Sequence, residues 1–165
     1  MDKEIEIKSE IKTLLAEYSN MEVFLGKRLD SLILEQDKFP KQFSGELEDY
    51  EDHILLASQC KHKAISLSKD LIALFEAMIS DYNYFSSQMK LYLAESFLQE
   101  HGFDKPTEAL RDAYVSADEN LRDFLKIKGK MKALSNAAEK LVKAFESDET
   151  NYRRLLERQT RLTGI

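Results

Sequence analysis

Residues 7–32 read IKSEIKTLLAEYSNMEVFLGKRLDSL. The apolar residues Ile7, Ile11, Leu14, Tyr18, Met21, Leu25, Leu29 and Leu32 are separated by 4, 3, 4, 3, 4, 4 and 3 residues. Side chains three and four apart share one face of an α-helix, so this spacing draws a single stripe close to the seam of a coiled coil. Gly26 interrupts the pattern at a cost of about 1 kcal/mol relative to Ala. The spacing predicts helix 1 over about residues 3–36. Phe39-Pro40 and Ser44-Gly45 then supply the residues that end a helix and turn the chain.

The same 3/4 spacing continues through Leu47, Tyr50, Ile54, Ala57, Ala64, Leu67, Leu71, Leu74 and Met78. After a four-residue shift it runs on through Tyr82, Phe85, Met89, Tyr92 and Ser96. Helix 2 is therefore predicted over about 46–101, opened by Glu46, Glu48, Asp49, Glu51 and Asp52 at the positive end of its dipole. Gly102 suits the left-handed residue that closes it. Asp81 to Ser87 is its weakest stretch. Asp104 is the expected cap of helix 3, with Pro106 in the first turn. Its stripe runs from Leu110, Tyr114, Ala117, Leu121 and Phe124 through Ile127, Met131, Leu134, Ala138, Leu141 and Phe145. Helix 3 thus covers about 105–146, and either continues to about 162 or restarts after Ser147-Asp148-Glu149-Thr150.

These lengths imply an all-α fold with more than about 75% helix and no sheet. Helices 2 and 3 would each be roughly 80 Å long and helix 1 roughly 50 Å. The short turn at 102–106 predicts that helices 2 and 3 form a long antiparallel hairpin. Helix 1, turning back at 37–45, would pack on the hairpin's base in a coiled-coil-like bundle. A length of 165 residues points to a single domain, 1–165. Five Gly and two Pro are too few for a β-rich chain.

The tip of such a hairpin, 82–125, would be two helices only, yet Tyr82, Tyr84, Phe85, Tyr92, Phe97, Phe103 and Tyr114 gather there. Two readings follow. Either the tip is a surface for self-association or a partner, made by Tyr82, Phe85, Met89, Tyr92, Phe97 and Tyr114, or helix 2 breaks near Asp81 and the tip folds back into one compact bundle.

The sequence offers no catalytic arrangement. It has no Gly-rich phosphate loop, no Gly-x-Ser-x-Gly elbow and no paired-histidine zinc motif. Tyr50, Gln59 and Leu98 precede His53, His62 and His101 by three residues, so a Glu-x-x-His di-iron site cannot be built. Cys60 is the single cysteine and reads as a small core residue, although Lys61, His62 and Lys63 beside it would favour a thiolate. The chain is expected to be non-enzymatic, with no metal and no cofactor. The longest apolar stretch, Leu71 to Ile79, contains Glu76, so no membrane span is expected. Met-Asp-Lys-Glu-Ile-Glu at the start lacks a signal-peptide core. The expected compartment is the cytoplasm.

Charge is unevenly placed. The net charge is −6, yet residues 1–100 hold 11 Lys/Arg against 19 Asp/Glu, and residues 101–165 hold 13 against 11. The acidic run at 46–52 is either a solvated helix start or a mimic of phosphate for a basic partner. Arg122, Lys126 and Lys130 fall at i, i+4 and i+8, with Lys128 and Lys132 beside them, and Arg154, Arg158 and Arg161 repeat the pattern. Such rows suit phosphates spaced along a strand, or decorate a solvated face.

The segment Lys105-Pro106-Thr107-Glu108-Ala109-Leu110-Arg111-Asp112-Ala113-Tyr114, followed by Val115, Asp118 and Glu119, resembles small helical bacteriophage proteins in which a comparable turn opens a long, Ala-rich basic helix. Those proteins are similar in layout to UvsY-type recombination mediators. The resemblance covers about residues 85–160. It implies a homo-oligomer that binds single-stranded DNA and helps load a recombinase where a single-strand-binding protein sits, in the host cytoplasm. It implicates Lys105, Arg111, Arg122, Lys126, Lys130 and Lys132, and the repeated basic pattern adds Arg154 and Arg158. A second hypothesis is a small acidic inhibitor or adaptor that blocks a host defence protein. A third is a structural phage component such as a scaffold or tail chaperone.

Overall fold

In a computed structural model, residues 2–39 and 46–164 are described, and the turn expected at Pro40 and Ser44-Gly45 lies outside them. Helix accounts for 92% and there is no strand among the described residues. The elements are α1 (Asp2–Asp37), α2 (Leu47–Gln88), a π-helical turn (Met89–Ala94), α3 (Glu95–Glu100), α4 (Glu108–Ala117) and α5 (Glu119–Thr163). The chain divides into two compact units, Met1–Val23 with Ala73–Lys132, and Phe24–Ile72 with Ala133–Ile165.

Each long helix buries a strict seven-residue row. In α1 and the residues just after it the row is Ile11, Tyr18, Leu25, Leu32 and Phe39; in α2 it is Ala57, Ala64, Leu71, Met78 and Phe85; in α5 it is Phe124, Met131, Ala138, Phe145 and Tyr152. A row repeating every seven residues is what packs helix on helix in coiled-coil fashion.

In the first unit, Tyr18 donates its hydroxyl to Asp81 at 2.5 Å and sets its ring edge against Phe124, 5.6 Å between centroids. Burial and that carboxylate push the phenol's pKa up. Tyr82 lies 6.0 Å from the same Phe124. Ile7, Ile11, Phe85, Met89, Leu93, Val115 and Leu121 form one buried cluster. The first turns of α1 therefore cover the region expected to be two helices alone. In the second unit, Glu35 near the end of α1 meets Cys60 and Lys63 rather than the first turn of α2. That register is displaced along α2 from the one a tight turn at 37–45 implies, which corrects the expectation that helix 1 stops at the base.

The second unit packs Phe145 edge-on against Phe39, 5.8 Å between centroids, with the rings of Tyr152 and His53 tilted against one another beyond them. Its polar tie is Lys61 to Glu149 at 2.5 Å, with Arg153 reaching the other oxygen at 2.7 Å. Ser147 to Thr150 thus does not interrupt the helix; Glu149 is buried because two cations neutralise it. Hydrogen bonds from Lys61 and Arg153 hold its carboxyl below the ordinary 4.5. A depressed carboxyl contributes stability that is present above the ordinary value and lost as pH falls through the folded value. Asp148 acts oppositely, since burial raises its carboxyl above the ordinary 3.8. Glu149→Gln should therefore be less stable than the parent at neutral pH and approach it as pH falls through the lowered carboxyl value, in urea unfolding followed across pH.

Three boundaries differ from the sequence reading. Helix 2 stays regular through 81–87 and loosens instead at the π turn. Helix 3 is two helices: Asp118 is extended (ψ 128°) and its carboxylate accepts from Leu121 N at 3.0 Å, capping α5. The cap of α4 is Thr107, accepting from Leu110 N at 3.4 Å, rather than Asp104. Pro106 is buried just before that cap instead of standing in the first turn. Gly102 does adopt positive φ (90°), and Phe103 N bonds Leu98 O at 2.9 Å, closing α3 as expected.

Candidate interaction surfaces

The π turn decides which side chains are offered to solvent. It carries an extra residue relative to α-helix, so the stripe leaves phase. Met89, Leu93 and Ala94 turn inward, and Tyr92, expected on the stripe, is 42% exposed beside Leu91 at 65%. Lys3 Nζ lies 3.5 Å from the Tyr92 ring centroid. Of the residues expected to form an aromatic surface, Phe85 and Met89 are instead buried in the first unit's core. Tyr82 and Tyr114 are half-buried, and Tyr92 and Phe97 remain exposed. Phe97 and Tyr114 sit 5.2 Å apart and face an open cavity of about 370 Å³, lined also by Leu98, Leu110, Ala113, Ala117 and Asp118. No single signal in the sequence marks that groove, because it depends on the elbow at Asp118.

A charged lattice ties α4 to the π turn and α3. Arg111 grips Glu95 through Nε at 2.8 Å and Nη2 at 2.7 Å, and also faces Glu108. Lys90 bridges Glu108, at 2.9 Å, and Asp112. Arg111, implicated by the resemblance, is thus committed within the chain. Lys105 is exposed in the loop before α4.

The cations of α5 fall into two sets. In the first unit Arg122 is exposed and forms no ion pair among the described residues. Lys126 meets Asp123 at 2.7 Å with its side chain 74% exposed. Lys130 reaches Glu22 only at 3.9 Å, and Lys132 lies 5.3 Å from the Phe75 ring centroid. Lys128 is half-buried over Tyr82. Exposed pairs of this kind are worth about 0–1 kcal/mol and are readily exchanged for another anion. In the second unit Arg154 and Arg158 are exposed, and Arg153 is held by Glu149.

Cys60 is fully buried and donates its thiol to Glu35 at 3.0 Å. Burial and that carboxylate push its pKa up to about 11, so the reactive-thiol option has no support. No group of three or more His, Cys, Asp or Glu suits a metal, and no helix is long and apolar enough to cross a membrane, among the described residues.

No protein-family model, curated protein or solved structure matches the chain.

Proposed function

We propose that the chain is a non-enzymatic helical interaction protein that contacts single-stranded nucleic acid through α5, as an oligomeric accessory of DNA recombination or replication. The observation that carries this reading is the outward face of α5 in the first unit. Arg122, Lys126, Lys130 and Lys132 are exposed there within eleven residues, and none is held by a buried carboxylate. Cations four residues apart project about 6 Å apart along a helix, comparable to the phosphate spacing of an extended strand. Helices 2 and 3 act in this reading as antiparallel partners that stiffen the α5 face. Support comes from pair order: Tyr82 with Phe124 and Phe75 with Lys132 in the first unit, and Lys61 with Glu149 and His53 with Tyr152 in the second.

Four phosphate contacts give a single-strand salt slope of about −2.8, so affinity for labelled oligothymidylate should fall roughly fifty-fold between 50 and 200 mM salt. Fluorescence anisotropy measures this directly. Absence of binding at the lower salt, with the protein at tens of micromolar, sinks the reading. It would favour the alternative, an acidic adaptor that covers a host protein, for which the exposed Phe24, Leu34 and Leu55 of the second unit are the available apolar contacts.

A further inference from the structure

Two surfaces of this chain complement each other in polarity and charge. The first is the groove between α3 and α4. Its walls are apolar except for Asp118, and no cation lines it. The segment that builds it, residues 95–119, holds seven Asp/Glu against two Lys/Arg. Arg111 and Lys90 already engage Glu95, Glu108 and Asp112. Lys8, whose charge reaches Tyr114 and Asp118, is itself held by Glu4 at 2.6 Å. Lys105 remains exposed in the α3–α4 loop, opposite Glu100, Asp104, Asp118 and Glu119 in sign.

The second surface is the end of α5. Arg154, Arg158 and Leu162 stand at i, i+4 and i+8, one face of a helix, and Arg161 lies beside them. Leu162 is 72% exposed, the highest value for a large apolar side chain among the described residues. Residues 153–164 hold four Arg and one Glu. Arg154, Arg158 and Arg161 form no ion pair within the chain among the described residues. An apolar anchor on a helix, flanked by charge opposite to that of an apolar groove, is the arrangement by which helices dock in grooves.

We infer that the α3–α4 groove receives the last turns of α5 from a second copy of the chain, with Leu162 in the apolar trough and Arg158 and Arg161 toward Asp118 and the net-acidic segment that builds the groove. The two surfaces differ, so the contact is heterologous and each docked pair keeps one groove and one helix end free for the next copy. Assembly of this kind needs no nucleic acid. It deepens the oligomeric part of the function proposed above and is independent of the nucleic-acid contact through α5.

Sedimentation equilibrium without nucleic acid tests it. The average mass of the full chain should rise with concentration from about 1 µM to about 100 µM at low salt, and less so at high salt. A tail variant, Arg158→Glu with Arg161→Glu and Leu162→Asp, should weaken association at least about tenfold. A groove variant, Ala113→Arg with Ala117→Arg, should do the same by filling the trough with like charge. All five positions are exposed, and circular dichroism verifies that both variants keep their helix content. An equimolar mixture should recover a two-chain species, because the tail variant retains a groove and the groove variant retains a tail. The inference is overturned if the parent chain stays monomeric throughout, if either variant associates as the parent does, or if the two folded variants fail to pair.

Discussion

Phe145→Ala should lower the stability of the chain by about 3–5 kcal/mol. Phe145 is fully buried on the seven-residue row of α5 and carries the edge-on contact with Phe39. Truncation removes the transfer energy of the ring and leaves a hole whose lining is fixed by helices on either side, so little of it can collapse. With a total stability of about 5–15 kcal/mol for a typical domain, the loss is a large share of what is there. Phe97→Ala is the comparison. Phe97 is 43% exposed and touches Tyr114 and His101 at the surface, so its loss should cost less than about 1 kcal/mol. Urea unfolding of both variants decides the matter: equal midpoints would mean that Phe145 is not packed as described.

Reversing Arg122, Lys126 and Lys130 to Glu should reduce oligonucleotide affinity by on the order of a hundredfold or more at low salt, with helix content unchanged. Three cations disappear and three anions replace them on a chain that already carries a net charge of −6. The fold should tolerate the change because all three side chains point to solvent and the pairs broken are exposed. Reversal of Lys140 and Lys143, exposed residues of the second unit's part of α5, is the internal control, compared per charge reversed. If both sets reduce affinity equally, binding follows total charge rather than this face. If the triple variant binds as the parent does, α5 is a solvated face only.

Much of the helix plan was legible from apolar spacing. Ile11, Tyr18, Leu25 and Leu32 were on the predicted stripe and are buried, as are Leu71, Met78, Phe124, Met131 and Phe145. Spacing reports which face is apolar and says little about events that preserve the phase or shift it by one residue. The elbow at Asp118 was hidden because Leu110, Tyr114, Ala117, Leu121 and Phe124 keep their 3/4 spacing across it, though Asp118 before Glu119 has the composition of a helix start. The polar run Ser147-Asp148-Glu149-Thr150 suggested a stop because its partners, Lys61 above all, lie far away in the chain. Met21 was placed on the stripe and is 45% exposed, since the buried row steps seven residues from Tyr18 to Leu25 without it. The cationic residues of α5 were legible by number and spacing, and the capture of Arg111 by Glu95 was not, because it depends on α4 standing apart from α5.

The π turn has a further consequence for how this chain tolerates change in length. Elsewhere in a seven-residue row, one added or lost residue rotates every later side chain by about 100° and exchanges inside for outside. Between Met89 and Ala94 the chain already contains such an extra residue and absorbs it as a local widening of the backbone. Two hydrophobic registers therefore coexist in one uninterrupted helical run, one ending at Phe85 and one carried on by Leu93 and Leu98. The segment works as a splice between registers, the place where the chain's length can vary by a residue while the row before it and the row after it keep their own phase.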